Sequence, residues 1–186
     1  MIIEKLIIIG GSAGSLEVIM EILPRLKAGF HHPVFLVLHN KTSNDQVLVE
    51  LLSAKTPLKV KEADEKESIK QGTVYIVPGD YHVLFEFDGT ISLDHSEKVN
   101  FSRPSIDVVF QSAANIFGPG LVCILLSGAN TDGTEGCRAV KEKKGVTIAQ
   151  APHTATVGFM PQHAITNGVI DHIFDKNEMT GFLNEL

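Results

Sequence analysis

Residues 6–15 read Leu-Ile-Ile-Ile-Gly-Gly-Ser-Ala-Gly-Ser, and this stretch decides the fold class. Its uninterrupted aliphatic half predicts a strand that is buried on both faces, as in a parallel sheet. The glycines and the serine predict a sharp turn into a helix. A strand, a tight turn and a helix in this order are typical of α/β folds, in which ligands bind where the strands end. Ser12 is therefore expected at a functional edge of the sheet.

Two later apolar runs also stop at a polar residue that can do chemistry. Residues 34–38 lead into His39, and residues 121–126 lead into a Ser-Gly-Ala-Asn-Thr-Asp-Gly loop that contains Asp132. The carboxyl ends of parallel strands share one edge of the sheet, so a hydroxyl, an imidazole and a carboxylate are predicted to meet there. These groups match the nucleophile, the base and the orienting carboxylate of a hydrolase.

Each of these signals has a plainer interpretation when it is taken alone. The G-x-S-x-G pattern around Ser12 is also consistent with a glycine turn that only joins strand to helix, or with one that cradles a phosphate. The nucleotide-binding patterns G-x-G-x-x-G and G-x-x-x-x-G-K-[ST] are absent from the sequence. The pair Asp132-Gly133 is also ordinary turn chemistry. The order serine, histidine, aspartate differs from that of α/β-hydrolases, so the serine motif does not indicate that fold.

Composition limits the class of protein. The 186 residues are 44% hydrophobic with a net charge of −6, which fits one domain over residues 1–186 and disfavours nucleic acid or an anionic membrane as main partner. No apolar run approaches the roughly 20 residues of a membrane span, and no signal peptide precedes the first strand, so we expect a cytoplasmic protein. Cys123 and Cys137 lack paired spacing and are expected to be reduced packing residues.

Strand-like and helix-like segments alternate, which predicts a three-layer α/β/α domain with a mostly parallel, doubly wound sheet. The Asp-Gly pair at 88–89 predicts an added antiparallel hairpin with a two-residue turn. Strands are predicted over 5–9, 33–38, 59–61, 73–77, 81–87, 90–93, 121–126, 146–149 and 169–174. Helices are predicted over 15–26, 46–53, 105–116, 134–143 and from Asp175, with Ser43, Asn44 or Asp45 capping the second and Asp175 or Asn177 the last. Residues 62–70 are expected to form a solvated loop or helix.

The chain resembles the catalytic domain of the chemotaxis protein-glutamate methylesterase family, the CheB type, over nearly its whole length. The motifs that carry the resemblance lie at 9–14, 37–39, 74–82, 103–107, 125–133, 145–150, 154–155 and 160–165. So many ordered motifs at family-like spacing are far more specific than the serine turn alone.

The resemblance implies a serine esterase that hydrolyses glutamate γ-methyl esters on chemoreceptor signalling helices, releases methanol, and in some members deamidates glutamine. By position, Ser12 matches the nucleophile, His39 the base and Asp132 the orienting carboxylate, and no metal or organic cofactor is implied. The N–H groups of Ala13 and Ala129 are our candidates for the oxyanion hole. The implied partner is a methyl-accepting chemoreceptor. The phosphoacceptor receiver domain of the best-known members is not found ahead of the first strand. We therefore expect that regulation is absent, that it comes from a separate response-regulator chain, or that the sequence is a piece excised from a longer protein.

The sequence departs from the family at four positions near the predicted site. A threonine usual after the nucleophile is Ala13, and the second glycine of the usual pair is Ser15, which we expect to cap the first helix. A methionine usual in the aspartate loop is Ala129, and an acidic residue usual after Gln150 is Ala151. These changes are expected to affect turnover and substrate identity more than the reaction class.

Three further residues are candidates for the substrate cleft, each with a structural alternative. His82 borders the cleft or has a structural role, and Arg103 recognises acidic surroundings of the substrate or packs at the start of a helix. Met160 shapes the cleft wall or belongs to the core. The sequence contains no paired histidine and cysteine spacing of a metal site.

Two other functions remain open from the sequence. One is an esterase that acts on a different protein carboxyl ester or amide, which the changes at Ala13 and Ala129 permit. The other is an inactive module that docks proteins through the same cleft. A docking module has no chemical need for Ser12, His39 and Asp132 together, so the enzyme interpretations are favoured.

Overall fold

The computed structural model of the chain describes residues 3–39 and 45–186. The strands are β1 (Leu6–Gly11), β2 (Val34–Leu38), β3 (Lys59–Glu62), β4 (Thr73–Ile76), β5 (His82–Phe85), β6 (Ile91–Asp94), β7 (Leu121–Leu125), β8 (Val146–Gln150) and β9 (His172–Phe174). The helices are α1 (Ser15–Ile22), α2 (Asp45–Ser53), α3 (Ile106–Phe117), α4 (Thr134–Glu142), α5 (Phe159–Thr166) and α6 (Lys176–Glu185).

Seven of the strands form one parallel sheet in the order β3-β4-β2-β1-β7-β8-β9. The chain builds the sheet outward from β1 in one direction through β2 and in the other through β7. The boundary between β1 and β7 is therefore the point where the strand order reverses, which is where open α/β sheets bind ligands. The strands β5 and β6 pair antiparallel as a separate hairpin. The predicted fold class is confirmed.

The two faces of the sheet bury two separate hydrophobic cores. Successive side chains of β1 alternate between them, because strand residues point to opposite faces. Leu6 and Ile8 pack with α3, α4, α5 and the β5–β6 hairpin. Ile7 and Ile9 pack with α1, α2 and α6. This gives three layers and leaves the carboxyl end of β1 open between the two sets of helices.

Several element boundaries differ from the sequence predictions. The helix α1 ends at Ile22 and continues as a 3₁₀ turn over Leu23–Arg25, because Pro24 cannot supply a helical N–H. The strand β9 begins only at His172, and α5 was not predicted. In the hairpin, the N–H of Glu86 donates to the Thr90 carbonyl, so the loop has three residues rather than two.

Helix caps and the charged segment have mixed outcomes. Asp175 caps α6 through its carboxylate, as predicted. Asp45 lies inside α2, and the other proposed caps of that helix, Ser43 and Asn44, lie outside the described residues. Residues 62–70 form no helix among the residues that the structure describes, so the loop prediction is confirmed.

Candidate active site

The backbone places Ser12 and His39 side by side at the carboxyl ends of neighbouring strands. Gly11 is the register partner of Leu38, and the His39 N–H donates to the Gly11 carbonyl at 3.2 Å. On the other side, the Ser12 N–H donates to the Ser127 carbonyl at 2.8 Å, just beyond β7. Ser12 thus lies between the ends of β2 and β7 and is only partly buried.

The turn after β1 requires glycine at two positions. A Cβ at Gly11 would lie 2.4 Å from the Cβ of Ser15, closer than carbon atoms can approach. Gly14 has a φ of 79°, in the left-handed region that glycine adopts without strain. It is also the N-cap residue of α1. The tight turn therefore brings the serine to the sheet edge and starts the helix at once.

Asp132 is completely buried and receives hydrogen bonds on both carboxylate oxygens. Two donors come from the first turn of α3, whose exposed N–H groups and positive dipole end favour an anion. The donors to Oδ2 are the Ile106 N–H (2.7 Å) and His39 Nε2 (2.8 Å), and those to Oδ1 are the Ser105 hydroxyl (2.8 Å), the N–H groups of Asp107 (3.0 Å) and Gly133 (3.1 Å), and Asn100 Nδ2 (3.2 Å). This shell fixes the carboxylate and keeps it ionised.

Two neighbouring carboxyl groups, those of Asp132 and Asp107, have pKa values shifted in opposite directions. Burial acts to raise the pKa of Asp132, but the hydrogen bonds from His39 and from the α3 N–H groups outweigh it and lower the pKa to about 2. Asp107 is also buried, and its burial, added to the nearby charge of Asp132, raises its pKa to about 7. We therefore assign the permanent charge to Asp132.

His39 is oriented by Asp132. Its Nε2 lies 2.8 Å from Asp132 Oδ2, and its side chain is 9% exposed. An ionised carboxylate can only accept, so Nε2 carries the proton and Nδ1 is left with a free lone pair. Across residues 3–39 and 45–186, no hydrogen bond joins the Ser12 hydroxyl to the His39 ring. The structure thus shows the histidine–aspartate pair directly and brings the serine beside it through the backbone.

Ser15 fixes the orientation of the peptide that follows Ser12. Its hydroxyl and its N–H both donate to the Ser12 carbonyl, at 2.7 and 3.1 Å. In a trans peptide the N–H points opposite to the carbonyl, so the Ala13 N–H is directed away from Ser15. The prediction that Ser15 caps α1 is wrong, because Gly14 occupies the cap position and Ser15 is the first helical residue.

The two predicted oxyanion donors are available for a ligand. Ala13 and Ala129 are both exposed. Within the part of the chain that the structure describes, neither backbone N–H donates to another protein group. Their role in an oxyanion hole remains a prediction that this availability supports.

Two of the three candidates for the substrate cleft, His82 and Met160, are buried. His82 is fully buried, with Nδ1 accepting from the Ser105 N–H and Nε2 3.2 Å from the Glu97 carbonyl, so the structure supports its structural alternative. Met160 is also fully buried, and it packs against Gly128, where a Cβ would lie 2.4 Å from the methionine Cε. The core alternative is therefore the one that the structure supports for Met160.

The guanidinium of Arg103 is occupied by a neighbouring loop. It donates to the carbonyls of His95 and Ser96 at 3.1 and 2.6 Å, and it lies 3.7 Å from an oxygen of Asp80. These contacts anchor the segment that leads to Asn100. Recognition of an acidic substrate by Arg103 remains a prediction.

The residues that support the Asp132 carboxylate from outside the strands were not predicted from the sequence. Asn100 donates to both Asp107 Oδ2, at 2.8 Å, and Asp132 Oδ1. Ser105 and Asp107 lie in the family-like motif at 103–107, so a motif without an assigned role was the available signal. Asn100 precedes that motif and carried no signal of its own.

The described residues include neither a cluster of metal-binding side chains nor a helix that could span a membrane. In residues 3–39 and 45–186, no group of three or more histidine, cysteine, aspartate or glutamate side chains is arranged to hold a metal ion. None of the helices in this part of the chain is long and apolar enough to span a bilayer. Cys123 and Cys137 are buried free thiols.

Comparison with known proteins identifies the family. The family model described as CheB methylesterase matches residues 7–183. The chain belongs to the CheB methylesterase family. The crystal structure of the Thermotoga maritima CheB methylesterase catalytic domain matches it with a TM-score of 0.93, at 33% sequence identity and over 97% of each chain. The predicted family is confirmed, and with it the assignment to a family of enzymes.

The chain covers nearly all of one curated relative and about half of two others. One relative is a Leptospira interrogans protein named "Putative protein-glutamate methylesterase/protein-glutamine glutaminase". It is 41% identical to this chain over 173 residues, which are 93% of this chain and 90% of that protein. Proteins of that name from Syntrophomonas wolfei and Thermotoga maritima are each 34% identical over 185 residues. The chain spans only 53% and 54% of those two relatives.

Proposed function

We propose that this chain hydrolyses glutamate γ-methyl esters on chemoreceptors and releases methanol. The observation that carries the proposal is the pair formed by His39 and Asp132, held at 2.8 Å beside Ser12 at the sheet edge. A buried, ionised carboxylate that orients a histidine next to an accessible serine is the arrangement that nucleophilic hydrolysis requires. The names of the relatives support the choice of substrate.

The first half of the reaction forms an acyl-enzyme. The Ser12 hydroxyl attacks the ester carbonyl and its proton passes to His39 Nδ1, the ring nitrogen that Asp132 does not engage. The N–H groups of Ala13 and Ala129 stabilise the negative oxygen of the tetrahedral intermediate. The intermediate collapses, the bond to the methoxy group breaks, and His39 returns the proton so that methanol leaves.

The second half restores the enzyme. Water gives a proton to His39 Nδ1 as it attacks the acyl carbon, and the bond to Ser12 breaks as the serine recovers that proton. The product is the glutamic acid side chain, which releases the remaining proton of the water to solvent and becomes a carboxylate. Asp132 stays ionised throughout, because its lowered pKa keeps it a charge partner for the histidine cation. The same steps would convert a glutamine side chain with release of ammonia, the second activity in the names of the relatives.

The proposal implies two partners and a location. The substrate is the cytoplasmic helical region of a chemoreceptor, which implies a cytoplasmic protein. We further propose that regulation, where it exists, comes from a separate response-regulator chain. No metal or organic cofactor takes part in the steps above.

The test is the rate of methanol release from a methylated chemoreceptor fragment by the wild type and by Ser12→Ala. Loss of the nucleophile leaves only binding and oxyanion effects, so we expect a decrease of at least about 1000-fold. Equal rates would exclude Ser12 as the nucleophile. Release from other protein methyl esters but not from the receptor would support the alternative substrate. Absence of release together with absence of labelling by a fluorophosphonate would support the docking module.

A further inference from the structure

A tight turn next to the triad contains an unusual residue. Val99 and Ser102 exchange backbone hydrogen bonds at 3.2 and 2.9 Å, which closes a two-residue hairpin turn. Asn100 and Phe101 between them have φ values of 51° and 62°, both left-handed. This pattern is typical of a type I′ turn, where asparagine followed by glycine is preferred. Asn100 suits its position, whereas a bulky phenylalanine at the second position is strained.

The side chain of Phe101 is almost completely exposed to solvent. It is 99% exposed, so the ring contributes nothing to either hydrophobic core. The strained backbone acts against the folded state, and glycine would remove the strain. The solvated ring buries no apolar surface that could offset this cost. Strained residues of this kind persist where they serve a function. The reason for Phe101 therefore lies outside the stability of the fold.

The turn is attached directly to the catalytic carboxylate. Asn100 donates from Nδ2 to Asp132 Oδ1 at 3.2 Å and to Asp107 Oδ2 at 2.8 Å. Phe101 follows Asn100 directly in the turn, and its side chain is exposed to solvent. Arg103 anchors the other end of the turn through the carbonyls of His95 and Ser96. The position of the ring relative to the triad is thus set by hydrogen bonds and not by the ring itself.

We propose that Phe101 is a docking residue for the protein substrate. Its ring packs against an apolar side chain on the substrate helix, next to the esterified glutamate that enters the site. This inference rests on the proposed function and deepens it by naming a specificity contact. A small ester needs to reach only Ser12, so the contact favours esters that are presented on a protein surface.

Phe87 offers a matched control within the same chain. It is also a highly exposed phenylalanine, at 91%, in the loop between β5 and β6. It lies five residues beyond His82, about 15 Å along the hairpin from the segment that supports the triad. Among the described residues with a left-handed backbone, Phe87 is not included. Phe87 is therefore nearly as exposed as Phe101 but is neither strained nor next to a residue that contacts Asp132.

The experiment compares two substrates and four proteins. The wild type, Phe101→Gly, Phe101→Tyr and Phe87→Gly are assayed for kcat/KM on a methylated chemoreceptor fragment and on N-acetyl-glutamate γ-methyl ester. Truncation of a central aromatic contact commonly weakens binding about tenfold or more. We expect Phe101→Gly to lose at least about tenfold more on the receptor than on the small ester, mainly through KM. Phe101→Tyr and Phe87→Gly should keep the wild-type ratio.

The outcomes separate the docking contact from the proposed function. A Phe101→Gly variant that keeps the wild-type kcat/KM on both substrates would overturn the docking role. Equal losses on both substrates would also overturn it, and would indicate that the turn only supports Asp132. A wild type that is inactive on the receptor would overturn the proposed substrate, and the docking role with it.

Discussion

His39 Nε2 lies 2.8 Å from Asp132 Oδ2, although 93 residues separate the two in the chain. The contact places a proton on His39 Nε2, and it leaves Nδ1 as the nitrogen that accepts the Ser12 proton in the proposed mechanism. Because the α3 N-terminus also donates to Asp132, the orientation of the histidine depends on a helix that contributes no catalytic side chain.

Replacing Asp132 by asparagine should remove the orientation of His39. An asparagine amide can present a donor to Nε2, which favours the wrong tautomer and gives no partner for the histidine cation. We expect kcat for methanol release to fall by about 10³–10⁴-fold, as in other serine triads. Far-UV circular dichroism controls for folding. A loss of less than about tenfold in a folded variant would remove Asp132 from the mechanism.

Asp107 should make the protein less stable as the pH rises from about 4 to about 7. Its pKa is raised from the ordinary value of 3.8 to about 7, so the folded state holds a proton that the unfolded state releases. Unfolding by urea at pH 5 and pH 8 measures the effect. We expect the wild type to be less stable at pH 8, and Asp107→Asn to lose most of that difference. The Asp132 pKa of about 2 affects stability only below pH 3.8 and does not overlap.

An Asp107→Asn variant with the same change in stability between pH 5 and pH 8 as the wild type would contradict the assignment of the permanent charge to Asp132. The comparison is needed because burial lowers the pKa of His32, which contributes to stability with the opposite sign in both proteins. Asp107→Asn is the informative control, because the amide resembles the protonated acid and keeps an acceptor for the Gly136 N–H, which lies 2.7 Å from Asp107 Oδ1.

Replacing Ser15 by glycine should lower kcat modestly without changing KM. The variant removes the hydroxyl that holds the Ser12 carbonyl at 2.7 Å but keeps the backbone N–H that bonds the same oxygen. One neutral hydrogen bond contributes about 1 kcal/mol, so we expect a decrease of about 3- to 10-fold. Steady-state kinetics on the methylated receptor fragment measure it. A change in KM alone would show that Ser15 acts on binding and not on the oxyanion donor.

Replacing Gly11 by alanine should destabilise the protein, because the new Cβ would lie 2.4 Å from the Ser15 Cβ. Overpacking of this kind costs about 1–3 kcal/mol. The matched control is Gly181→Ala in α6, where a Cβ meets nothing within 4 Å and helix propensity favours alanine by about 1 kcal/mol. Urea unfolding should give free-energy changes of opposite sign. Equal effects would show that the serine turn tolerates a side chain.

The strands and their polar ends were predictable from the sequence because long-range order was not needed to see them. A buried aliphatic run that stops at a polar residue is a local pattern, and Ser12, His39 and Asp132 each follow one. The glycine-rich turn at 10–14 is local as well. The parallel sheet then brings these ends to one edge without further information.

The support around the site could not be predicted in the same way. Asn100 contacts Asp132 because it lies in a left-handed turn, and the residues around it in the sequence do not predict that conformation. His82 is buried because Ser105 and Glu97 supply partners for both ring nitrogens, which is a tertiary property. The helix α5 was missed because it is short, contains Pro161 and has little amphipathic pattern.

Activation of Ser12 by His39 and Asp132 can be measured by mapping the site at which a covalent inhibitor reacts. The wild type and His39→Ala are treated with a fluorophosphonate, and the adduct is located by peptide mass spectrometry. We predict a single adduct on Ser12 in the wild type and its loss in the variant. An adduct on another serine, or equal labelling of Ser12 without the histidine, would contradict the account.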